Sequence, residues 1–319
     1  MSSPGDRSRL REDLPGPESN PGLGLTGFVS ATPAGGLAPL TGEERELLDE
    51  AVSLLSGHRL AVLTGAGLST DSGIPDYRGP NSVPRNPMTY QQFVGDEALR
   101  RRYWARNHVG WRHLRRAHPN AGHAAVAHLE QRGLLSGLIT QNVDKLHSSA
   151  GSSRVIDLHG TFDRVVCLQC SSTFARSRIA DILEDLNPGY LERESEAGDV
   201  APDADADVDD TGDFVMAPCP VCGGMLKPDF VYFGENVPKD RVADAYAMVD
   251  AAGALLVAGS SLTVMSGLRF VRHAVKAGQP VVIINRGWTR GDEFASMKIE
   301  AGVSEALTYL ADRLPDLTY

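Results

Sequence analysis

Four short apolar segments alternate with helical patterns along the chain, and this alternation restricts the fold more than any other feature. The segments are residues 60–63, 137–140, 254–258 and 280–284. Asn120 and Gly133 bracket a helical pattern before the second segment, and residues 239–252 form one before the third. Buried strands that alternate with helices predict an α/β fold with a Rossmann-like, doubly wound, mostly parallel sheet. Ligands of such sheets bind beyond the carboxyl ends of the strands, so we expect a crevice there.

A glycine-rich turn follows the first apolar segment. It contains Gly65, Ala66, Gly67 and Ser69. A turn of this kind at the start of a helix can hold a phosphate group with its backbone N–H groups. Thr70 stands where a dinucleotide fingerprint has its third glycine, and residues 81–95 contain no acid, which disfavours an ordinary dehydrogenase. A tight corner without a ligand is the alternative interpretation, but the polar loop that follows, residues 71–79, favours a binding role.

The only four cysteines form two C-x-x-C pairs. They are Cys167, Cys170, Cys219 and Cys222. Four thiolates at this spacing can complete a tetrahedral zinc site, which would stabilise a second, smaller module. A redox-active dithiol is the alternative, although two complete pairs favour metal binding.

The negative net charge is concentrated in one segment. Residues 176–216 hold 13 acidic residues against three arginines, which equals the net charge of −10 for the whole chain. The rest of the protein is balanced, so nucleic acid is not an expected partner. We predict that the acidic tract around residues 203–210 is a solvated, disordered insertion, and that residues 1–40, rich in Gly, Pro and Ser, form a disordered tail.

The apolar runs are too short to span a membrane, and the N-terminus lacks the apolar core of a signal peptide. We therefore expect a cytoplasmic protein. Nothing in the pattern of the chain requires an oligomer, and a monomer is the simplest prediction.

Several motifs occur in a fixed order between residues 41 and 313. They are Gly65–Ser69, Gly73–Arg78, Thr140–Asp144, His159–Gly160, the four cysteines and Gly259–Ser261. In this order they resemble the motifs of the sirtuin family, the NAD-dependent protein deacylases, and most of all its class II branch. The resemblance implies an NAD-binding Rossmann-like domain at residues 41–160 and 236–319. It also implies a zinc-binding domain at residues 161–235 that carries the acidic insertion 176–216.

The resemblance implies that NAD is a consumed co-substrate: the acyl group of an acylated lysine is transferred to ADP-ribose, and nicotinamide leaves. His159 matches the general base of the family and Asn142 a second catalytic position, while the four cysteines match a structural Zn²⁺ site. The implied NAD contacts are Gly65, Ala66, Gly67, Ser69, Asp76, Tyr77, Arg78, Gln141, Asn142, Asp144, Gly259, Ser260, Ser261, Asn285, Arg286, Gly287 and Val303.

The implied partners are proteins with acylated lysines. Val231, Phe233 and Gly234 resemble the peptide-binding loop of the family. Tyr103 and Arg106 lie three residues apart on a helical pattern, where they could line the acyl pocket and favour a dicarboxylic acyl chain. The alternative is a basic surface that docks the acidic insertion. For the whole protein, the alternatives are mono-ADP-ribosyl transfer at the same site and a non-catalytic zinc-ribbon binding module.

Overall fold

The computed structural model describes residues 37–77, 87–194, 205–206, 208 and 211–318. The α-helices of these residues are α1 (Gly42–Leu55), α2 (Tyr90–Gly95), α3 (Glu97–Leu114), α4 (Ala121–Gln131), α5 (Leu146–Ser149), α6 (Arg176–Leu186), α7 (Tyr190–Arg193), α8 (Lys239–Asp250), α9 (Met265–Lys276) and α10 (Val303–Arg313). The strands are β1 (Leu60–Thr64), β2 (Leu135–Thr140), β3 (Val155–Asp157), β4 (Gly160–Cys167), β5 (Thr173–Ala175), β6 (Leu226–Phe230), β7 (Ala254–Ala258), β8 (Val281–Ile284) and β9 (Met297–Ile299). No helix in the described ranges is both long and apolar enough to cross a membrane.

A capping box starts the first helix, as the sequence indicates. The Thr41 side chain accepts a hydrogen bond from the Glu44 backbone, and the Glu44 carboxylate accepts one from the Thr41 backbone. These two bonds satisfy donors that every helix start leaves free. Gly57 adopts a φ of 79° just after the helix, a left-handed conformation that glycine tolerates best.

A six-stranded parallel sheet forms the larger part of the protein. Its strand order is β3-β2-β1-β7-β8-β9. The order reverses between β1 and β7, since β2 and β3 lie to one side of this pair and β8 and β9 to the other. This is the strand order of a doubly wound Rossmann fold, and it confirms the predicted fold class. The four predicted strands are present, whereas the short edge strands β3 and β9 carry too little apolar sequence to be recognised.

Both faces of this sheet are covered by helices. In β1, Leu60 and Val62 pack on the face covered by α1, α4 and α10, while Ala61 and Leu63 pack on the face covered by α8 and α9. Successive side chains of a strand point to opposite faces, so burial of all five β1 residues requires apolar cores on both sides. Because both faces of the sheet are buried, its strands appear in the sequence as continuous apolar runs.

The second module contains an antiparallel sheet with the order β5-β4-β6. Its apolar core includes Val165, Phe174 and Leu226, but also Phe93 of α2 and Trp104 of α3. The core of this module therefore draws on residues before the predicted start at residue 161.

The acidic segment 176–216 begins with two helices, and two described residues of the tract predicted to be disordered are buried. Residues 176–193 include α6 and α7, and Arg176, Ile179 and Leu183 are buried on one side of α6. Further along, Ala206 and Val208 are buried in the core of the second module. The apolar residues between the acids pack on α3 and β4, which composition alone does not reveal. Asp203, Asp207, Asp209 and Asp210 lie outside the described residues, as do residues 1–36 of the predicted tail.

Candidate functional site

A cavity of about 690 Å³ opens where strands β1, β2, β7 and β8 end. The polar segments that follow these four strands all contribute to its wall, as predicted. Of the predicted residues, those that line it are Gly65, Ala66, Gly67, Ser69, Asp76, Tyr77, Gln141, Asn142, Asp144, His159, Val231, Phe233, Gly234, Gly259, Ser260, Ser261, Asn285, Arg286 and Gly287. The cavity therefore lies at the reversal of the strand order, where doubly wound sheets bind ligands.

The glycine-rich turn forms a wall of bare backbone on one side of the cavity. A Cβ atom on Gly65 would lie 2.8 Å from the Gly259 carbonyl oxygen, and the Gly67 N–H donates to the same oxygen over 2.9 Å. Gly259 has a φ of +65°, and a Cβ atom there would lie 2.4 Å from the Leu68 nitrogen. Only glycine fits this close contact, which leaves the backbone open to a phosphate group.

A buried polar network fixes the carboxamide of Asn142 beside this turn. Its Nδ2 donates to the Gly65 carbonyl and to Ser69 Oγ, both over 3.0 Å. Ser69 Oγ in turn donates to Asp144 Oδ2 over 2.6 Å. Burial raises the pKa of Asp144, although the hydrogen bonds from Ser69 and from the Leu146 backbone act in the opposite direction. The network joins Asn142, Ser69 and Asp144 in the wall of the cavity.

His159 presents an unprotonated ring nitrogen at the cavity. Its Nδ1 lies 3.0 Å from the Gln141 carbonyl oxygen, which can only accept, so Nδ1 carries the hydrogen. Nε2 then accepts a hydrogen bond from Ser266 Oγ over 2.8 Å. Burial lowers the pKa of His159 to about 4, with a further decrease from the positive charges of Arg241 and Arg269. At neutral pH the imidazole is therefore a neutral base, oriented by a backbone carbonyl.

The opposite end of the cavity lies beyond β7 and β8. Ser260 Oγ donates to Gln141 Oε1 over 2.5 Å, which joins the segments that follow β7 and β2. Asn285 Nδ2 donates to the Arg286 carbonyl over 2.8 Å and closes a local turn. Gln141 also packs over Gly267, where a Cβ atom would lie 2.7 Å from Nε2. The sites predicted for the two ends of a dinucleotide thus share one continuous cavity.

Some predicted residues do not take part in this cavity. Arg78 lies outside the described residues. Val303 is buried in the apolar core at the start of α10 rather than in the cavity wall, so the structure does not place it among the ligand contacts.

The predicted acyl-pocket pair is also placed elsewhere. Tyr103 packs edge-on against Phe93 and Tyr232, and Arg106 Nε lies 2.7 Å from Asp205 Oδ1. Neither side chain is among the described residues that line the cavity. The geometry favours the alternative interpretation, in which Arg106 docks the acidic insertion.

Several residues that line the cavity were not predicted from the sequence, and three of them carry polar or aromatic groups that a ligand could contact. Ser266 and Arg269, both on α9, and Trp288, after β8, line the cavity. Ser266 and His159 are 107 positions apart, so only the folded chain reveals their hydrogen bond. Trp288 follows the predicted strand 280–284 by four residues, and only the structure shows that it is exposed.

The four cysteines converge in the second module. Their Sγ atoms all lie within 4.8 Å of one another, with 3.5 Å between Cys167 and Cys222 and 3.7 Å between Cys170 and Cys219. Zn–S bonds of about 2.3 Å in a tetrahedron separate the sulfur atoms by about 3.8 Å, and a disulfide requires about 2.05 Å. The cluster therefore fits a closed zinc site rather than two redox dithiols.

Comparison with known proteins agrees with this geometry. Residues 65–266 match the model of the Sir2 family. NAD-dependent protein deacetylase 1 of Mycobacterium avium is 60% identical over 270 residues, which cover 84% of this chain and 96% of that protein. NAD-dependent protein deacetylase 1 of Streptomyces coelicolor is 53% identical over 290 residues, covering 90% of this chain and 95% of that protein.

Solved structures give the same result. A structure reported for the mechanism and regulation of Sir2 enzymes is similar with a TM-score of 0.66 and 29% identity, over 85% of this chain and 98% of that chain. A Sir2 complex with a p53 peptide and NAD⁺ has a TM-score of 0.63 and 31% identity, over 83% of this chain and 96% of that chain. On the family model and the identity of these relatives, the chain belongs to the Sir2 family.

Proposed function

We propose that this protein is an NAD-dependent protein lysine deacylase, which transfers the acyl group of an acylated lysine to ADP-ribose and releases nicotinamide. The observation that carries the proposal is the neutral imidazole of His159, which shares one cavity with the glycine-rich turn and with the Asn142 network. Relatives that are 60% and 53% identical are named NAD-dependent protein deacetylases, which supports the same activity here.

The cavity offers groups that would suit the successive parts of NAD. The bare backbone of Gly65–Gly67 and Gly259 suits the pyrophosphate, and Asn285 lies at the end suited to adenosine. Asn142 and Asp144 then lie at the nicotinamide end, close to His159. NAD supplies the bond between nicotinamide and ribose that is broken in the reaction, and the protein supplies orientation and a base.

His159 is suited to accept a proton from a ribose hydroxyl group. Its Nδ1–H is fixed on the Gln141 carbonyl, so the lone pair of Nε2 has a defined direction. Ser266 donates to Nε2 in this structure and must give up that hydrogen bond when a hydroxyl group of the substrate replaces it. The low pKa keeps the base unprotonated throughout the neutral range.

The protein substrate fits the segment that follows β6. Val231, Phe233 and Gly234 line the cavity, and Phe233 is half-exposed. An extended peptide can pair its main chain with such a segment, which tolerates varied side chains and suits an enzyme with several protein substrates.

The four cysteines would hold a Zn²⁺ ion with no free coordination position. Its contribution would be structural, because it would tie β4 to the loop before β6 and so support the peptide-binding segment. A cytoplasmic location and a monomeric state stay predictions from the sequence.

Nicotinamide release with acetylated peptides tests the function. We expect NAD-dependent release with the wild-type protein, formation of O-acetyl-ADP-ribose, and a loss of about 100-fold or more in turnover for His159→Asn. His128→Asn, on the exposed side of α4, is the matched control. Mass spectrometry of the products distinguishes the alternatives. ADP-ribose attached to the protein substrate would indicate ADP-ribosyl transfer, and NAD binding without turnover would indicate a binding module.

A further inference from the structure

Lys227 is a buried cation on β6 that the proposed reaction does not use. Its side chain is only 5% exposed, and its Nζ lies 4.8 Å from the centre of the Tyr232 ring. The ammonium group donates hydrogen bonds to the Phe230 carbonyl and, over 3.1 Å, to Glu235 Oε2. A buried charge is costly unless it is paired and hydrogen-bonded, so these contacts are needed to keep Lys227 inside.

The contacts of Lys227 close a loop in the chain. Phe230 and Glu235 lie on either side of the segment 231–234, and the same Glu235 oxygen accepts a hydrogen bond from the Tyr232 N–H over 2.9 Å. The Glu235 N–H donates back to the Tyr232 carbonyl over 3.0 Å. One ammonium group and one carboxylate therefore fix both ends and the middle of this short segment.

The segment enclosed by these bonds forms one wall of the cavity. Val231, Tyr232, Phe233 and Gly234 all line it. The Val231 N–H donates to the His159 carbonyl over 2.8 Å, so the same segment is tied to the backbone of the base. On its outer side, the Phe233 carbonyl accepts a hydrogen bond from the Tyr90 N–H of α2 over 2.9 Å.

We propose that the buried Lys227–Glu235 pair positions residues 231–234, which include the turn from Tyr232 to Glu235, so that this part of the cavity wall can bind the acylated-peptide substrate. This inference rests on the proposed deacylase function. Lys227 and Glu235 then have no contact with the reacting atoms. The affinity of the enzyme for the peptide depends on this pair, whereas its affinity for NAD does not.

The charges of the pair predict how variants behave. Lys227→Met removes the cation, leaving the Phe230 carbonyl and a half-buried Glu235 carboxylate without their partner. Glu235→Gln leaves the ammonium group without its counter-charge. Replacing both residues leaves no unpaired charge inside, which commonly restores part of the loss caused by a single replacement.

Steady-state kinetics with an acetylated peptide and NAD test the proposal. A lost hydrogen bond to a charged group corresponds to about a tenfold change, so we expect Lys227→Met to raise KM for the peptide about tenfold. KM for NAD should stay within about twofold of the wild-type value, and the double variant should recover part of the peptide affinity. Hydrogen exchange at the Val231 and Tyr232 amides should become faster, which is a readout independent of turnover.

Arg164→Met is the matched control, since Arg164 pairs with Asp229 of the same strand β6 but is 48% exposed. Its peptide KM should be unchanged. Equal increases in KM for peptide and for NAD, or unchanged exchange at residues 231 and 232, would overturn the proposal. An inactive wild-type protein would instead refute the proposed function, and binding of the acetylated peptide measured without NAD would still test the pair.

Discussion

Mild acid should destabilise this protein through its buried histidines. Burial lowers the pKa of His108 and His123 to about 3 and that of His159 to about 4, from an ordinary value of 6.5. Burial also lowers the pKa of His147 well below 6.5. Below pH 6.5 the unfolded chain binds protons that the folded protein does not, so stability falls as the pH falls through this window.

The size of the effect follows from the number of these groups. Each histidine lowers the free energy of unfolding by about 1.4 kcal/mol for each pH unit below 6.5, until the pH reaches the pKa of that histidine in the folded protein. Four such groups give a loss of about 5 kcal/mol between pH 7.5 and 5.5, comparable with the whole stability of many proteins. Urea unfolding followed by circular dichroism at a series of pH values measures this slope.

His108→Leu separates the histidines from other acid effects. Within the described part of the chain, neither ring nitrogen of His108 has a hydrogen-bond partner, so leucine removes the titrating group without leaving a partner unpaired. We expect the number of protons taken up on unfolding between pH 5 and 6 to fall by about one. The slope of the unfolding free energy against pH should therefore fall by about 1.4 kcal/mol per pH unit. An unchanged slope would refute the reasoning, because it would show that His108 titrates alike in the folded and unfolded states.

Three further predictions concern the zinc site, the nucleotide and the acyl chain. Cys219→Ser should remove the bound zinc, measured by elemental analysis, and lower the melting temperature, because three ligands no longer close the site. Gly259→Ala should raise KM for NAD about tenfold or more with little change in KM for the peptide, because the new Cβ would lie 2.4 Å from the Leu68 nitrogen. Arg106→Ala should leave the ratio of acetyl- to glutaryl-lysine turnover unchanged, because Arg106 pairs with Asp205 outside the cavity.

For each of these three variants, one result would contradict the reasoning behind the prediction. Full zinc content in Cys219→Ser would show that the four thiolates do not act as one site. Unchanged NAD kinetics in Gly259→Ala would show that the turn can move away without loss. A selective decrease in glutaryl-lysine turnover in Arg106→Ala would restore the acyl-pocket role.

The sequence alone determined the class of fold and most of the cavity wall. The β7 strand has the predicted bounds, and the capping box that starts α1 is formed by Thr41 and Glu44, only three positions apart in the sequence. These features depend on neighbours in the chain, on burial of continuous apolar strands and on turns that only glycine adopts. The sheet then brings its strand ends together at one edge, so residues such as Gly65, Gln141 and Gly259 were predictable as neighbours.

Only the tertiary structure decided how individual side chains are used. Arg106 has the spacing of an acyl-pocket residue but pairs with Asp205, 99 positions later, and Ser266 of α9 reaches His159 between β3 and β4. The core of the second module likewise recruits Phe93 and Trp104 from before the predicted boundary. Local patterns specify strands, helices and turns, whereas the partner of a charged or polar side chain depends on which distant segment packs against it. That packing depends on the whole chain, so the spacing of residues within one motif does not predict it.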